Sequence, residues 1–188
     1  MAVTWETLEQ AVSVCRDCRL AGGRTNTVLG EGSRSADVMF IGEGPGFEED
    51  RQGRPFVGPA GQLLDKMLAA IDLKREDVYI ANIVKCRPPS NRIPSEDEAK
   101  ACMKYLRAQV YLIKPRVIVL LGATAACNTI DRGIRITKDR GVFVERNGYY
   151  MLPTYHPAAL LRDAAKKADA WADFKAVRDK LKELGENA

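Results

Sequence analysis

The run Arg116-Val117-Ile118-Val119-Leu120-Leu121-Gly122 constrains the fold of this chain more than any other stretch. A strand with one wet face alternates apolar and polar residues; an unbroken apolar run closed by Gly122 leaves neither face for water. Such a strand belongs inside a sheet that is covered on both sides. Three further segments read as strands: Asp37-Val38-Met39-Phe40-Ile41, Asp77-Val78-Tyr79-Ile80-Ala81-Asn82, and Tyr149-Tyr150-Met151-Leu152-Pro153-Thr154. Helical patterns separate them. One carries Leu64, Met67, Leu68 and Ile71 on a single face. Another opens on a capping box, Ser95 with Glu98, carries Cys102, Leu106, Val110 and Ile113, and stops at Pro115. A short helix covers Ala123 to Ile130. Thr4 caps a first helix with Leu8 and Val12, and a last amphipathic helix turns Trp171, Phe174, Val177, Leu181 and Leu184 inward. Strands alternating with helices imply a parallel sheet between helical layers, the α/β class.

At 188 residues the chain is expected to form one domain, 1-188, large enough for a core without staples. A net charge of +4 is compatible with a nucleic-acid face without demanding one. No apolar run approaches the ~20 residues of a membrane span, and the first residues lack the plan of a signal peptide. A cytoplasmic, reducing setting is therefore expected, where five cysteines argue for metal ligation or burial rather than disulfides. With one histidine in the chain, chemistry that needs imidazole has a single candidate.

Between Ile41 and Asp65 the chain turns on Gly42, Gly44, Pro45 and Gly46. It then passes the acidic cluster Glu48-Glu49-Asp50 and a loop holding Arg54 and Phe56. A glycine-rich turn at the carboxyl end of a strand is where open α/β sheets place their ligands. The turn fails the dinucleotide fingerprint, because Phe47 stands where a third glycine is needed, and no Walker lysine follows. Asn82 and His156 leave their strands at the same end of the sheet. Asn82 offers a planar donor and acceptor pair, Phe56 a face for stacking a base.

Cys15 and Cys18 have the two-residue gap that lets two thiolates share a metal from a tight turn. Cys86, in a proline-rich loop, and Cys102, on the apolar stripe of its helix, are candidates to complete the set; a packed core thiol is the plain alternative for Cys102. Four thiolates without histidine fit structural zinc or an iron–sulfur cluster, and spacing does not choose between them. Cys127 reads as a packed thiol.

Five separated motifs, in order, resemble the family 4 uracil-DNA glycosylases: Gly42-Glu43-Gly44-Pro45-Gly46 with Glu48-Glu49-Asp50; Gly53-Arg54-Pro55-Phe56-Val57-Gly58; Asn82 ahead of Lys85-Cys86-Arg87-Pro88-Pro89; His156-Pro157-Ala158-Ala159-Leu160-Leu161-Arg162; and the four cysteines. The resemblance runs from about Val14 to Arg162. It implies a three-layer α/β/α sandwich around a central four-stranded parallel sheet. It also implies a [4Fe-4S] cluster on Cys15, Cys18, Cys86 and Cys102, and excision of uracil from single- and double-stranded DNA.

By the same resemblance, Gly42 and Gly44 border the base, Glu43 lines the pocket, Phe56 stacks on uracil, Asn82 reads its N3/O4 edge, and His156 donates to O2. Glu49 and Asn91 resemble residues associated with catalysis. The loop from His156 to Arg162 resembles one that enters the duplex, with Leu160 or Leu161 as the wedge. Lys85, Arg87, Arg92 and Arg162 are the expected phosphate grips. The expected partner is uracil-containing DNA, with a sliding clamp as a candidate protein partner, and the chain is expected to be a monomer without membrane attachment.

The chain also departs from the pattern of the family it resembles. Gly44 replaces the aspartate of the best-known uracil glycosylases, so Glu49 becomes the candidate for orienting water. Phe47 stands where a polar or acidic residue is expected. The loop from Arg87 to Pro94 lacks the histidine of a covalently trapping relative, so turnover is expected. The rival reading is a non-catalytic iron–sulfur or zinc protein that binds nucleic acid in the same crevice; a nucleotide-binding oxidoreductase is disfavoured by the failed fingerprint.

Overall fold

A computed structural model describes residues 3–186. In chain order the elements are α1 (Trp5–Ser13), β1 (Glu31–Gly32), β2 (Val38–Gly42), α2 (Phe47–Gln52), α3 (Pro59–Ala69), β3 (Tyr79–Asn82), α4 (Glu96–Ile113), β4 (Val117–Leu121), α5 (Ala123–Thr129), α6 (Ile136–Asp139), β5 (Val144–Arg146), β6 (Tyr149–Thr154), α7 (Pro157–Arg162) and α8 (Lys167–Glu186). Thr4 and Ser95 cap α1 and α4 as their side chains predict.

The sheet has the order β1-β3-β2-β4-β6-β5. Its four inner strands pair in parallel, with Ile41 beside Ala81 and Leu120, and Leu121 beside Thr154. These are the four strands expected from the sequence. Two short edge strands are added: β1 runs antiparallel to β3, and β5 antiparallel to β6. Both are too short and too exposed to show an apolar period, and short edges of this kind discourage edge-to-edge pairing. The turn-rich segment Arg132 to Arg146 thus holds α6 and β5.

Every residue of β2, β3 and β4 is buried, and successive side chains enter opposite layers. Val38, Phe40, Val117 and Val119 pack with Leu64 and Leu68 of α3 and Phe174 and Val177 of α8. Met39, Ile41, Ile118 and Leu120 pack with α1, α4 and α5 through Leu8, Val12, Leu106 and Ala126. The result is the three-layer sandwich. One inward assignment fails: Trp171 lies on the exposed side of α8, with the Lys175 ammonium over its ring. Glu48, Glu49 and Asp50 lie in α2, a short helix not expected from the sequence, whose N-terminus favours negative charge.

Candidate functional site

Because the inner strands are parallel, their carboxyl ends share one edge. Gly42–Gly46, Asn82, Gly122 and His156 emerge there around a cavity of about 770 Å³. Gly42 is required by closeness: a Cβ on it would stand 2.5 Å from both Asn82 Oδ1 and Phe56 Cζ. The Asn82 amide and the Phe56 ring therefore crowd one spot of bare backbone. At Gly44 a Cβ would come within 2.7 Å of Val84, which holds the turn against the segment leaving β3. That segment is stitched down by Ile83 N–H to Gly42 O at 2.9 Å and Val84 N–H to Glu43 O at 3.2 Å.

Phe56 takes a left-handed backbone, φ 51°, which costs a non-glycine residue on the order of 1–3 kcal/mol and persists only if its surroundings enforce it. Arg75 does part of this, donating from Nη1 to Phe56 O at 3.0 Å and from Nη2 to Pro55 O. Gly61 does the rest, since a Cβ there would lie 1.8 Å from Phe56 O. The ring so placed faces the His156 imidazole, centroids 5.5 Å apart and planes at 27°.

Asn82 ends β3 with 1% of its surface exposed, and its Oδ1 has no hydrogen-bond partner. An orphaned buried acceptor costs about 1–3 kcal/mol, so its persistence at a cavity wall points to a donor brought by a ligand. His156 caps α7: its Nδ1 accepts from Ala158 N–H at 3.1 Å. That bond requires Nδ1 to be bare, so the proton of the neutral ring sits on Nε2 as a donor. Burial, with the Arg162 charge second, pushes the imidazole pKa down to about 4, although Glu49 opposes the shift. The ring is neutral at physiological pH.

The three carboxylates of the turn do different work. Asp50 is buried and accepts from Thr25 and Asn26 N–H, bracing an outer loop. Glu49 accepts from Val57 and Gly58 N–H, each at 2.8 Å, and from Gly46 N–H at 3.1 Å, so it clamps the glycine turn to the Phe56 loop. About four lone-pair sites belong to a carboxylate, which leaves one for water. Glu43 lines the cavity with one oxygen held by the Thr124 hydroxyl.

Around the mouth, Arg162 is exposed in the last turn of α7, and Asn91 lines the wall with its Oδ1 accepting from Arg87 Nε at 2.7 Å. Three expectations are corrected here. Lys85 cannot grip a phosphate: it is 1% exposed, and its ammonium donates to Asn82 O at 2.9 Å and Gln109 Oε1 at 2.6 Å. Leu160 cannot be the wedge, being 2% exposed in the core, whereas Leu161 is 51% exposed. Arg92 lines the mouth, but its guanidinium is paired with the buried Glu98 carboxylate through both terminal nitrogens, at 2.7 and 2.8 Å. Local periodicity could not have revealed Arg75 or Thr124. Gly61 carried a signal, a glycine inside a helical pattern.

At the other end of the segment leaving β3, Cys15, Cys18, Cys86 and Cys102 line one narrow cleft of about 10 Å³, and none is in a disulfide. Lys85 N–H points at Cys102 Sγ, 3.2 Å, and Arg24 Nη1 at Cys86 Sγ, 3.2 Å. A single zinc ion, with bonds of about 2.3 Å, would draw the sulfurs into contact. Four thiolates without a histidine fit either a structural zinc ion or a cluster in which each iron takes one of them. Cys127 stands elsewhere, against Ile134 O. No helix among the described residues is long and apolar enough to cross a membrane.

The profile of the uracil DNA glycosylase superfamily matches residues 29–176. A type-4 uracil-DNA glycosylase of Thermotoga maritima is 48% identical over 164 residues, covering 86% of this chain and 85% of that protein. One of Sulfurisphaera tokodaii is 43% identical over 183 residues, 93% and 83% of the two chains. A type-5 uracil-DNA glycosylase of Pyrobaculum aerophilum is 34% identical over 146 residues, 69% and 64% of the two.

Proposed function

Since the chain belongs to the family 4 uracil-DNA glycosylases and is a DNA repair hydrolase of that kind, we propose that its crevice binds one extruded uracil between the Phe56 ring and the Asn82 amide. The observation that carries this reading is the buried, unpartnered Oδ1 of Asn82 beside a ring and a neutral imidazole. Oδ1 accepts from uracil N3–H, and the amide NH₂ donates to O4. Cytosine presents the opposite pattern and leaves those groups unpaired, the kind of mismatch that discriminates most strongly. Thymine, which shares uracil's edge, is excluded by its methyl group meeting the walls.

Cleavage of the N1–C1′ bond leaves positive charge on the sugar and negative charge on uracil, chiefly at O2. His156 Nε2–H stabilises that oxygen without surrendering its proton, as do backbone N–H groups of the glycine turn; one such donor contributes on the order of 3–4 kcal/mol. Water adds to C1′, oriented by the remaining lone pair of Glu49, which accepts the proton the water loses and passes it to solvent, with Glu43 on the cavity wall favouring the cationic sugar. Uracil leaves as the anion and takes its proton from solvent. Extrusion costs a few kcal/mol, which Leu161 offsets by filling the gap, while Arg87 and Arg162 hold phosphates.

The four cysteines hold a [4Fe-4S] cluster, whose contribution when bound is to staple the N-terminal segment to the loop after β3. The chain acts in the cytoplasm as one domain, 1-188, and as a monomer on single- and double-stranded DNA, with a sliding clamp as a recruiting partner. The test is uracil release from an oligonucleotide, read as alkali-labile breaks at uracil, by protein whose colour near ~400 nm reports iron–thiolate ligation. Breaks at uracil and none at thymine or cytosine are expected. No breaks, or a colourless protein with stoichiometric zinc, would overturn the corresponding half of the proposal.

A further inference from the structure

The cavity is far larger than one pyrimidine: about 770 Å³ is the range that drug-sized ligands fill. Its outer part is bordered by Phe47, the first residue of α2, which is 57% exposed and joins neither core. A lone exposed phenylalanine is ordinary. This one lies on the cavity wall with the Arg87 guanidinium over its ring, 5.1 Å from the centroid, and Arg87 is itself fixed through Nε by Asn91. The neighbouring acid, Glu48, is neutralised by Arg51 at 2.7 Å. The outer chamber therefore offers an aromatic face, a cation beside it and unused volume, the combination with which proteins hold unpaired nucleotides.

We propose that Phe47 and Arg87 form a stacking shelf for the base of a nucleotide adjacent to the excised uracil, a second subsite that reads no sequence and favours unpaired DNA. The inference rests on the uracil-excision reading and extends it by one nucleotide. In a duplex the adjacent base stays stacked on its own neighbours and gains little from the shelf. In a single strand it is free to lie on the ring, with its phosphate toward Arg87. Preference for single-stranded substrate thus follows from one side chain outside the reacting centre.

The experiment compares the holoprotein with its Phe47→Ala and Phe47→Tyr variants, after checking that all three melt alike and carry equal cluster absorbance. Substrates are a single-stranded oligonucleotide with one uracil, the same strand with an abasic spacer replacing the 5′ or the 3′ neighbour, and the duplex. Phe47→Ala should lower kcat/KM on the intact single strand on the order of tenfold, the worth of one base–aromatic stack, with a smaller loss on the duplex. Phe47→Tyr should restore it. The spacer on the shelf side and the Phe47→Ala change together should cost no more than either alone. A Phe47→Ala penalty that persists undiminished with spacers on either side, or no penalty on any strand, would overturn the shelf. If the parent releases no uracil from any strand, the excision reading fails instead. The shelf is then judged by anisotropy of the same labelled strands, where the Phe47→Ala loss of affinity must again vanish with the spacer.

Discussion

At the crevice the chain leaves a buried polar atom, Asn82 Oδ1, without a partner; at the cysteine end it supplies Cys86 and Cys102 with N–H donors from Arg24 and Lys85. The two regions are close in sequence, for the segment Ile83–Cys86 runs from one to the other. Lys85 touches both, with its ammonium on Asn82 O and its backbone N–H on Cys102. A polar atom held unsatisfied marks a place where the partner comes and goes. Under the proposed ligand set, sulfurs already given N–H donors would hold an occupant that stays and carries structure. One region is set up for turnover, the other for permanence.

The sharpest way to break this comparison is to damage each region and ask which property fails. Cys102→Ala should cost on the order of several kcal/mol of stability, because a structural metal site contributes its binding energy to folding. Cys127→Ala, removing a thiol that donates to Ile134 O, should cost about 1 kcal/mol. Thermal melts with cluster absorbance measure both, and equal losses would argue against the ligand set. His156→Ala should do the reverse, lowering the rate of uracil release by about 10²–10³-fold with little change in melting temperature. If it unfolds the protein instead, the imidazole is structural.

Lys85→Met sits between the two. Stripping a buried cation from Asn82 O and Gln109 leaves acceptors unpaired, so a loss of about 1–3 kcal/mol in stability is expected together with slower release. A change in only one property would show that the two regions are independent.

The smallest expected effect is on pH. With its pKa near 4, His156 stays neutral, so single-turnover release should not lose rate to imidazole protonation between about pH 8 and 5. An inflection near 6.5 would mean a solvated ring. Stability carries the matching sign. Below the unfolded value of 6.5 the unfolded chain takes up a proton that the folded chain refuses, so stability falls as pH drops toward about 4. His156→Ala should flatten that part of the curve.

The regions also differ in how legible they were. The inner strands show themselves as apolar runs because burial on both faces removes alternation, and the residues at their carboxyl ends, Asn82 and His156, follow from that placement. Edge strands of two and three residues leave no such period. Lys85, Arg92 and Leu160 were misread because a type and a place on a loop or helix do not say which way a side chain turns. Lys85 turns inward to Gln109, 24 residues further on in α4, and Leu160 shares a short helix with the exposed Leu161. The clamp made by Glu49 and Arg75 around Phe56 depends on loop contacts across 8 and 19 residues that follow no helix or strand period, and only Gly61 marked it in the sequence.

The central claim, that Asn82 Oδ1 waits for the N3–H of uracil, is tested most directly by methylating that nitrogen. Single-turnover release should be compared for uracil and N3-methyluracil in one oligonucleotide, using the parent and Asn82→Ala. The parent should reject the methylated base by 10²-fold or more, and the variant, slow on both, should lose most of that discrimination. Comparable release of the two bases by the parent would contradict the account.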